Sequence, residues 1–365
     1  MEYSIPWAKA EFWGKEREYV VEALESSWIS GGPFVNRLES EFARYNEVPY
    51  AVATSNGTTA LHLAYLALGI SPGDEIIVPG YAFMAAANVA LHMQAVPVFA
   101  EVDPRTWCLT ARAAEQKLTA RTKAIVPVHT YGNMCNMDDI AELARSRRIA
   151  VIEDAAEALG SRSRGRWAGS VGLLGAFSMH ATKTITTGEG GMVVTGDAEL
   201  LRRMLLYRSH GMSHTRYWHD VAGYNFRLTN MQAALGCAQL EQIEWISQQR
   251  KRVFGTYERY LSDVPGVLMQ SFSREVDAVP WVVGVKLDAE AFTLGRDQII
   301  DKMGQAGIET RPGFYTPGQM HHLYSCAELP ICDDVSRAVI VLPSFVSLTE
   351  EQIAFVCSIL KEMRR

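Results

Sequence analysis

Short runs of β-branched and other apolar residues recur along the first two thirds of this 365-residue chain, and longer stretches of helical pattern separate them. That alternation constrains the fold more than any other feature. It is the pattern of a mostly parallel sheet whose crossover helices cover both faces. The expected strands are residues 50–54, 75–79, 97–102, 123–128, 149–154, 175–179 and 192–195. Between them "TTALHLAYLALGI" is apolar on nearly every side, which predicts a helix buried against the sheet, and "MDDIAELARSRR" is another helical stretch.

A long helical pattern over 228–261 precedes a change of character. "VPGVLMQSFSREVDAVP" is turn-rich, "WVVGVKL" reads as a strand, and "LGRDQIIDKMGQAG" reads as a helix ending at a glycine. A chain this long suits one large unit with a smaller lobe. The boundary is placed within the long helix, giving a large unit over 1–245 that includes the N-terminal segment and a small α+β lobe over 246–365.

Composition excludes several function classes. Apolar and charged fractions of 48% and 21% are those of an ordinary globular chain, so no disordered tract is expected. A net charge of -6 without a Lys/Arg-rich block argues against a nucleic-acid partner. No apolar run reaches membrane-spanning length and "MEYSIPWAKAEFWGKE" lacks a signal-peptide pattern, so no membrane partner and a cytoplasmic location are expected. Cys108, Cys135, Cys237, Cys326, Cys332 and Cys357 form no CxxC pair and have no histidines at zinc spacing. Reduced, mostly buried thiols and no metal site follow.

Three chemically loaded segments fall where strands end, the edge at which open α/β sheets bind ligands. "YAVATSNGTTALHLA" passes from strand through a turn into a helix, so N–H groups near Gly57 and Thr58 can meet a phosphate together with the helix dipole; an ordinary capped helix start has the same residues. "AVIEDAAEALGS" ends a strand with Glu153 and Asp154, either to cap a following helix or to pair with a protonated ring nitrogen. "FSMHATKTITTGEGGMVV" sets Lys183 just after a strand, and the glycines of a Walker-type loop do not precede it. A lysine and an aspartate so placed are the two identifying groups of a pyridoxal phosphate site.

These segments, with "YWHDVAGYNFRLTNMQAALGCAQLE", "WISGGPFV", "RPGFY" and "LPSF", resemble the DegT/DnrJ/EryC1/StrS aminotransferases nearly end to end. Within that family the likeness is greatest to the perosamine synthases, which aminate C4 of a nucleotide-linked 4-keto-6-deoxy sugar. The resemblance implies a fold-type I α/β enzyme with a mostly parallel seven-stranded sheet in its large domain. It implies pyridoxal 5'-phosphate as cofactor, L-glutamate as amino donor, and a homodimer with active sites at the subunit interface. Lys183 matches the Schiff-base lysine, Asp154 the carboxylate on the pyridine nitrogen, and Glu157 a residue against the ring. Gly57, Thr58 and Ser178 match phosphate-binding groups, Phe83 a stacked aromatic ring, and Asn225 an amide reaching the phosphate from the neighbouring subunit. Trp28, His219, Arg311 and Tyr315 lie in segments that approach the substrate in relatives.

Two departures bear on specificity. "GLLGAF" carries Leu173 where many relatives have an acidic residue, which implies altered loop packing. "HAT" (His180, Ala181, Thr182) stands before the lysine where perosamine synthases often have Gly-Asn, which the resemblance associates with relatives using other nucleotide sugars; a dTDP- or UDP-linked ketosugar is the alternative acceptor. On the same scaffold, a sugar 3-dehydratase would place histidine at the lysine position, and a cofactor-binding regulator would lack turnover.

Overall fold

The computed structural model describes residues 3–213, 215–323 and 328–365; Cys326 lies outside them. Seven strands form the main sheet: β1 (Tyr50–Thr54), β2 (Glu75–Pro79), β3 (Val96–Ala100), β4 (Thr122–Ile125), β5 (Ala150–Asp154), and, after the short hairpin of β6 (Arg162–Ser163) and β7 (Arg166–Trp167), β8 (Leu174–Ser178) and β9 (Gly191–Thr195). Their order is β1-β9-β8-β5-β4-β2-β3. Only β9 runs against its neighbours; the pairs β2/β3, β2/β4, β4/β5 and β5/β8 are parallel.

Each expected strand is present because its period-2 pattern serves two cores at once. Ala51, Ala53, Ile77, Ile125, Val151 and Phe177 point into one buried cluster, whereas Val52, Ile76, Val78, Ala124, Ile152 and Ala176 point into another. A sheet buried on both faces needs strands that are apolar over most of their length, as most of these are, their polar residues standing at strand ends. The helix Gly57–Leu68 buries Ala60, Leu61, Leu63, Ala64, Tyr65 and Ala67, in line with its all-round apolar sequence.

The C-terminal part forms a four-stranded antiparallel sheet of β10 (Val267–Met269), β12 (Val283–Leu287), β14 (Val339–Leu342) and β13 (Arg311–Pro312), while β11 (Val276–Asp277) pairs with β6. Helices Arg296–Gln305 and Glu350–Glu362 pack on this sheet through Ile299, Met303, Ile353, Val356 and Leu360. The 228–261 pattern is two helices, Asn230–Glu241 and Ile243–Leu261, broken at Gln242. The first is buried on most sides among helices of the large unit. The second starts in that core with Ile243 and Ile246 and ends in the small-lobe core with Val253, Phe254, Tyr257 and Leu261.

The N-terminal segment packs on the large unit through Tyr19, Ala23, Phe34 and Leu38, while its first residues reach the small lobe. Ile5 bridges to Ile308 and belongs to the small-lobe core, because the small lobe offers the apolar surface that its side chain needs. The five described cysteines are free and buried.

The carboxyl ends of β1, β2, β4, β5 and β8 share one edge, and β9 begins there. The edge is drawn tight by glycines. A Cβ on Gly57 would sit 2.7 Å from that of Ser178, and a Cβ on Gly191 would overlap the Asn56 carbonyl. Gly191→Ala should therefore cost about 1–3 kcal/mol by forcing β9 off the 55–57 turn. Urea denaturation measures this, and an unchanged midpoint would show that the turn yields freely.

Candidate active site

At that edge the helix Gly57–Leu68 begins with a reciprocal cap. The Asn56 side chain accepts from the Thr59 N–H at 2.8 Å, and the Thr59 hydroxyl accepts from the Asn56 N–H at 3.0 Å. Gly57 and Thr58 are thus the first two helical residues, and helical geometry gives their N–H groups no intrahelical acceptor. The Ser178 hydroxyl ends β8 directly against Gly57 and accepts from the His180 N–H at 3.3 Å. N–H groups, a hydroxyl and the positive end of a helix dipole together suit a phosphate.

Asp154 ends β5 with a carboxyl that is 4% exposed. It accepts from the Ala156 N–H at 3.1 Å, and the residues that follow form turns instead of the helix its capping would serve. Burial raises its pKa, opposed by the Ala156 N–H and by Lys183. The preceding Glu153 points to the opposite face, as strand geometry requires. There it accepts from the N–H groups of Gly169 at 2.9 Å, Val171 at 2.7 Å and Gly172 at 2.5 Å, and from His129 Nε2 at 2.8 Å. His129 Nδ1 in turn accepts from the Cys135 N–H at 3.3 Å, so the donated proton sits on Nε2. Burial would raise the Glu153 pKa, but His129 and these N–H groups outweigh it and hold the carboxyl below its usual range. The loop bearing Leu173 is therefore folded around Glu153.

Lys183 closes a turn by donating its N–H to the His180 carbonyl at 2.9 Å, and its side chain is 13% exposed. Its Nζ lies 3.7 Å from Glu157 Oε1 and 3.4 Å from the centre of the Trp281 ring. Glu157 Oε2 accepts from the N–H of Tyr131 at 2.9 Å, a residue held at φ 59°. A non-glycine residue in that region costs about 1–3 kcal/mol, and here it aims an N–H at the carboxyl. Burial lowers the Lys183 pKa against the pull of Glu157 and Asp154, and burial pushes Glu157 up to about 7. In both partners desolvation exceeds mutual attraction. Burial thus shifts the Lys183 amine in the direction of its neutral form.

A profile of the DegT/DnrJ/EryC1/StrS aminotransferases matches residues 12–361. The chain belongs to that family. It is 44% identical over 363 residues to GDP-perosamine synthase of Escherichia coli O157:H7, with 98% of each chain covered. It is 43% identical to GDP-perosamine synthase of Caulobacter vibrioides, covering 96% of this chain and 95% of that one. Among solved structures, a putative sugar aminotransferase of Streptococcus pneumoniae in its PLP form superposes with a TM-score of 0.93 at 25% identity, covering 99% and 98% of the two chains.

A cavity of about 480 Å³ is lined by Phe83, Trp281, His180, Trp7, Phe314 and Arg311, with Tyr131 and Thr182 among the others. Phe83 is 61% exposed, with its ring centre 6.2 Å from that of Phe314 in an edge-to-face arrangement. Arg311 is held by Glu309 at 2.5 Å, and Glu309 also accepts from the Trp7 N–H at 2.9 Å. Tyr315 is not among the lining residues; its ring lies 5.4 Å from the Arg296 guanidinium, and Phe314 takes the inward place. Trp28, at 67% exposure, and Asn225 stand outside the cavity. His219 is exposed as well, and donates from Nδ1 to the His210 carbonyl at 2.6 Å. Sequence reading missed Trp7, Trp281 and Phe314: a tryptophan or phenylalanine among apolar neighbours has the same local pattern as any core residue.

Glu157 fixes a pH dependence. Below the ordinary glutamate range both folded and unfolded chains carry it neutral. Above about pH 7 both carry it ionised, with the folded chain bearing the burial cost, so its contribution is lost as pH rises through that window. Glu157→Gln should flatten the fall in apoprotein stability from about pH 5 to about pH 8 by roughly 1–3 kcal/mol. Parallel urea titrations of parent and variant measure this, and identical pH slopes would contradict it.

Proposed function

We propose that the protein is a pyridoxal 5'-phosphate-dependent homodimer that transfers the amino group of L-glutamate to C4 of GDP-4-keto-6-deoxymannose, giving GDP-perosamine. The observation that carries the reading is the sparingly exposed Lys183 amine set against Glu157, with the buried Asp154 carboxyl and the Gly57–Ser178 cradle at the same sheet edge. The choice of nucleotide sugar is supported by the likeness to the two GDP-perosamine synthases.

The residues fit the cofactor. A Cβ at Gly57 would fill the space at the helix start, and Asp154 is a buried carboxyl whose charge needs a cation such as a protonated ring nitrogen. Gly57, Thr58 and Ser178 would hold the phosphate, Asp154 the ring nitrogen, and Phe83 and Glu157 the ring. When bound, pyridoxal phosphate supplies an electron sink that weakens the Cα–H bond of the amino donor. Lys183 would hold the cofactor covalently and, as a free amine, would take the Cα proton of the donor on its Nζ. Glu157 is the nearby group that can take up or return the ammonium proton, since its pKa stands at about 7. Asn225 is assigned to the phosphate of the partner subunit, in keeping with its exposed position. Arg311, Trp28, His219 and Tyr315 are assigned to the substrate, with Arg311 in the cavity itself. The protein works in the cytoplasm on this reading, which its free thiols suit.

A second acceptor, a dTDP- or UDP-linked ketosugar, is favoured by one observation: His180 of the "HAT" run lines the cavity. The 3-dehydratase reading fares worse, because the buried place beside Glu157 holds Lys183 and His180 is exposed.

Treating the protein with pyridoxal phosphate and borohydride should fix a pyridoxyl group on Lys183, seen by peptide mass mapping, and Lys183→Ala should carry none. An adduct retained in Lys183→Ala would sink the assignment. Offered GDP-, dTDP- and UDP-linked 4-ketosugars side by side with glutamate, the enzyme should aminate the GDP sugar fastest; a product that has lost a hydroxyl without gaining nitrogen would instead mark a dehydratase. Mixing Lys183→Ala with Asn225→Ala subunits should restore one working site per hybrid dimer, and failure of folded hybrids to regain activity would count against a shared site.

A further inference from the structure

Arg250 lies on the helix Ile243–Leu261, between its large-unit and small-lobe contacts, and is 8% exposed. Its guanidinium is spent on backbone carbonyls. Nη1 donates to Trp281 at 2.8 Å and Ser344 at 3.4 Å, and Nη2 donates to Lys183 at 3.0 Å, while Nε has no partner among the described residues. The carboxylate whose charge it feels, Glu11, accepts from the Ser347 N–H at 3.0 Å. A buried arginine with no adjoining carboxylate is costly, and a hydrophobic residue would fill the same volume more cheaply. What the guanidinium supplies is geometry: a planar fork that fixes several acceptors at once.

The acceptors it fixes surround the reacting amine. Trp281, whose carbonyl Arg250 holds, donates its indole N–H to the Thr182 carbonyl at 2.6 Å and sets its ring face 3.4 Å from Lys183 Nζ. Residues 182 and 183 are therefore gripped at three points: the Thr182 carbonyl by the indole, the Lys183 carbonyl by Arg250, and the amine by the ring. Glu157 lies 3.7 Å from the same amine, and the charges of Glu157 and Asp154 both act on it. Ser344 belongs to the segment after β14, so the same fork reaches into the small lobe.

We propose that Arg250 is a positioning residue for Lys183: by gripping the Lys183, Trp281 and Ser344 carbonyls together, it fixes the amine against the Trp281 ring and links its placement to the small lobe. The inference rests on Lys183 being the reacting amine. Arg250 touches neither cofactor nor substrate on this reading, and its effect travels through the lysine backbone. Its charge also disfavours a second cation nearby, in the direction of the lowered Lys183 pKa.

The test compares Arg250→Met, which keeps the aliphatic length, with Arg250→Lys, which keeps the charge and loses the fork. In the apoprotein, the pH dependence of reductive methylation of Lys183, followed by peptide mass, reads the amine directly. Its midpoint should move to higher pH in Arg250→Met, because a like charge and the restraint that keeps the amine dry are both gone, and move less in Arg250→Lys. In the loaded enzyme kcat should fall about a hundred-fold in Arg250→Met with little change in KM, the scale expected of a reacting group displaced by about 1 Å. A lowered melting temperature with an unmoved midpoint and unchanged kcat would reduce Arg250 to a structural staple and overturn the proposal. If Arg250→Met does not fold, Arg250→Lys carries the same comparison: a raised midpoint and lowered kcat support positioning, and parental values of both overturn it. Borohydride labelling of the parent separates the two readings, since absence of label on parental Lys183 would fail the proposed function itself.

Discussion

One amine and two carboxyl groups, withdrawn together from water at a sheet edge, are the constraint on which the rest of this structure turns. For Lys183 and Glu157 alike, the cost of burial exceeds the attraction between them. Left to relax, such a cluster would draw in solvent or swing apart. It is kept in place by backbone: the left-handed Tyr131 aims an N–H at Glu157, the Lys183 turn closes on His180, and glycine-thin contacts press the helix start at Gly57 against Ser178. The twin cores on the two faces of the sheet supply the stability against which that local cost is set.

Glu153 and Asp154 show how a single strand end divides structural from chemical work. They are adjacent, so the pleat sends them to opposite faces. Glu153 collects three backbone N–H groups and His129, and is satisfied by them. Asp154 has one backbone N–H partner among the described residues and a pKa raised by burial. The first fixes the loop that carries Leu173, and that loop leads directly into the start of β8, with the Leu173 N–H on the Val151 carbonyl of β5. Asp154 is thus held by its neighbour's bonds more than by its own.

Most of the fold was legible because it is written locally. The strands from β1 to β9 in the main sheet announce themselves by unbroken apolar runs, and the helix after β1 by its apolar surround. Lys183, Asp154 and Gly57 were legible too, since residue type and position at a strand end are local properties. What was not legible comes from convergence. Arg250, Trp281 and Trp7 lie far from Lys183 in sequence; the tryptophans read locally as core residues, and Arg250 reads as one of a polar run, "SQQRKR". Only the return of the helix Ile243–Leu261 and the N-terminal segment to the sheet edge brings them to it. The break at Gln242 was hidden for the opposite reason: both flanking helices are good helical sequence, and tertiary packing alone sets the bend.

The placement of the remaining residues separates chemistry from recognition. Lys183, Asp154 and Glu157 are assembled within one chain and are little exposed. Phe83, Trp28, Asn225 and His219 are exposed, and large apolar groups such as Trp28 at 67% and Phe83 at 61% carry a solvation cost that a covering surface would remove. Under the proposed dimer, the partner and the nucleotide sugar are those covers. Reaction type would then be set by buried groups that tolerate little change, whereas sugar and nucleotide choice would be set by outward-facing residues, His180 and Arg311 of the cavity included, that can vary without disturbing the amine. A chain can on this account keep its lysine, aspartate and phosphate cradle while the three residues before the lysine vary with the sugar it accepts.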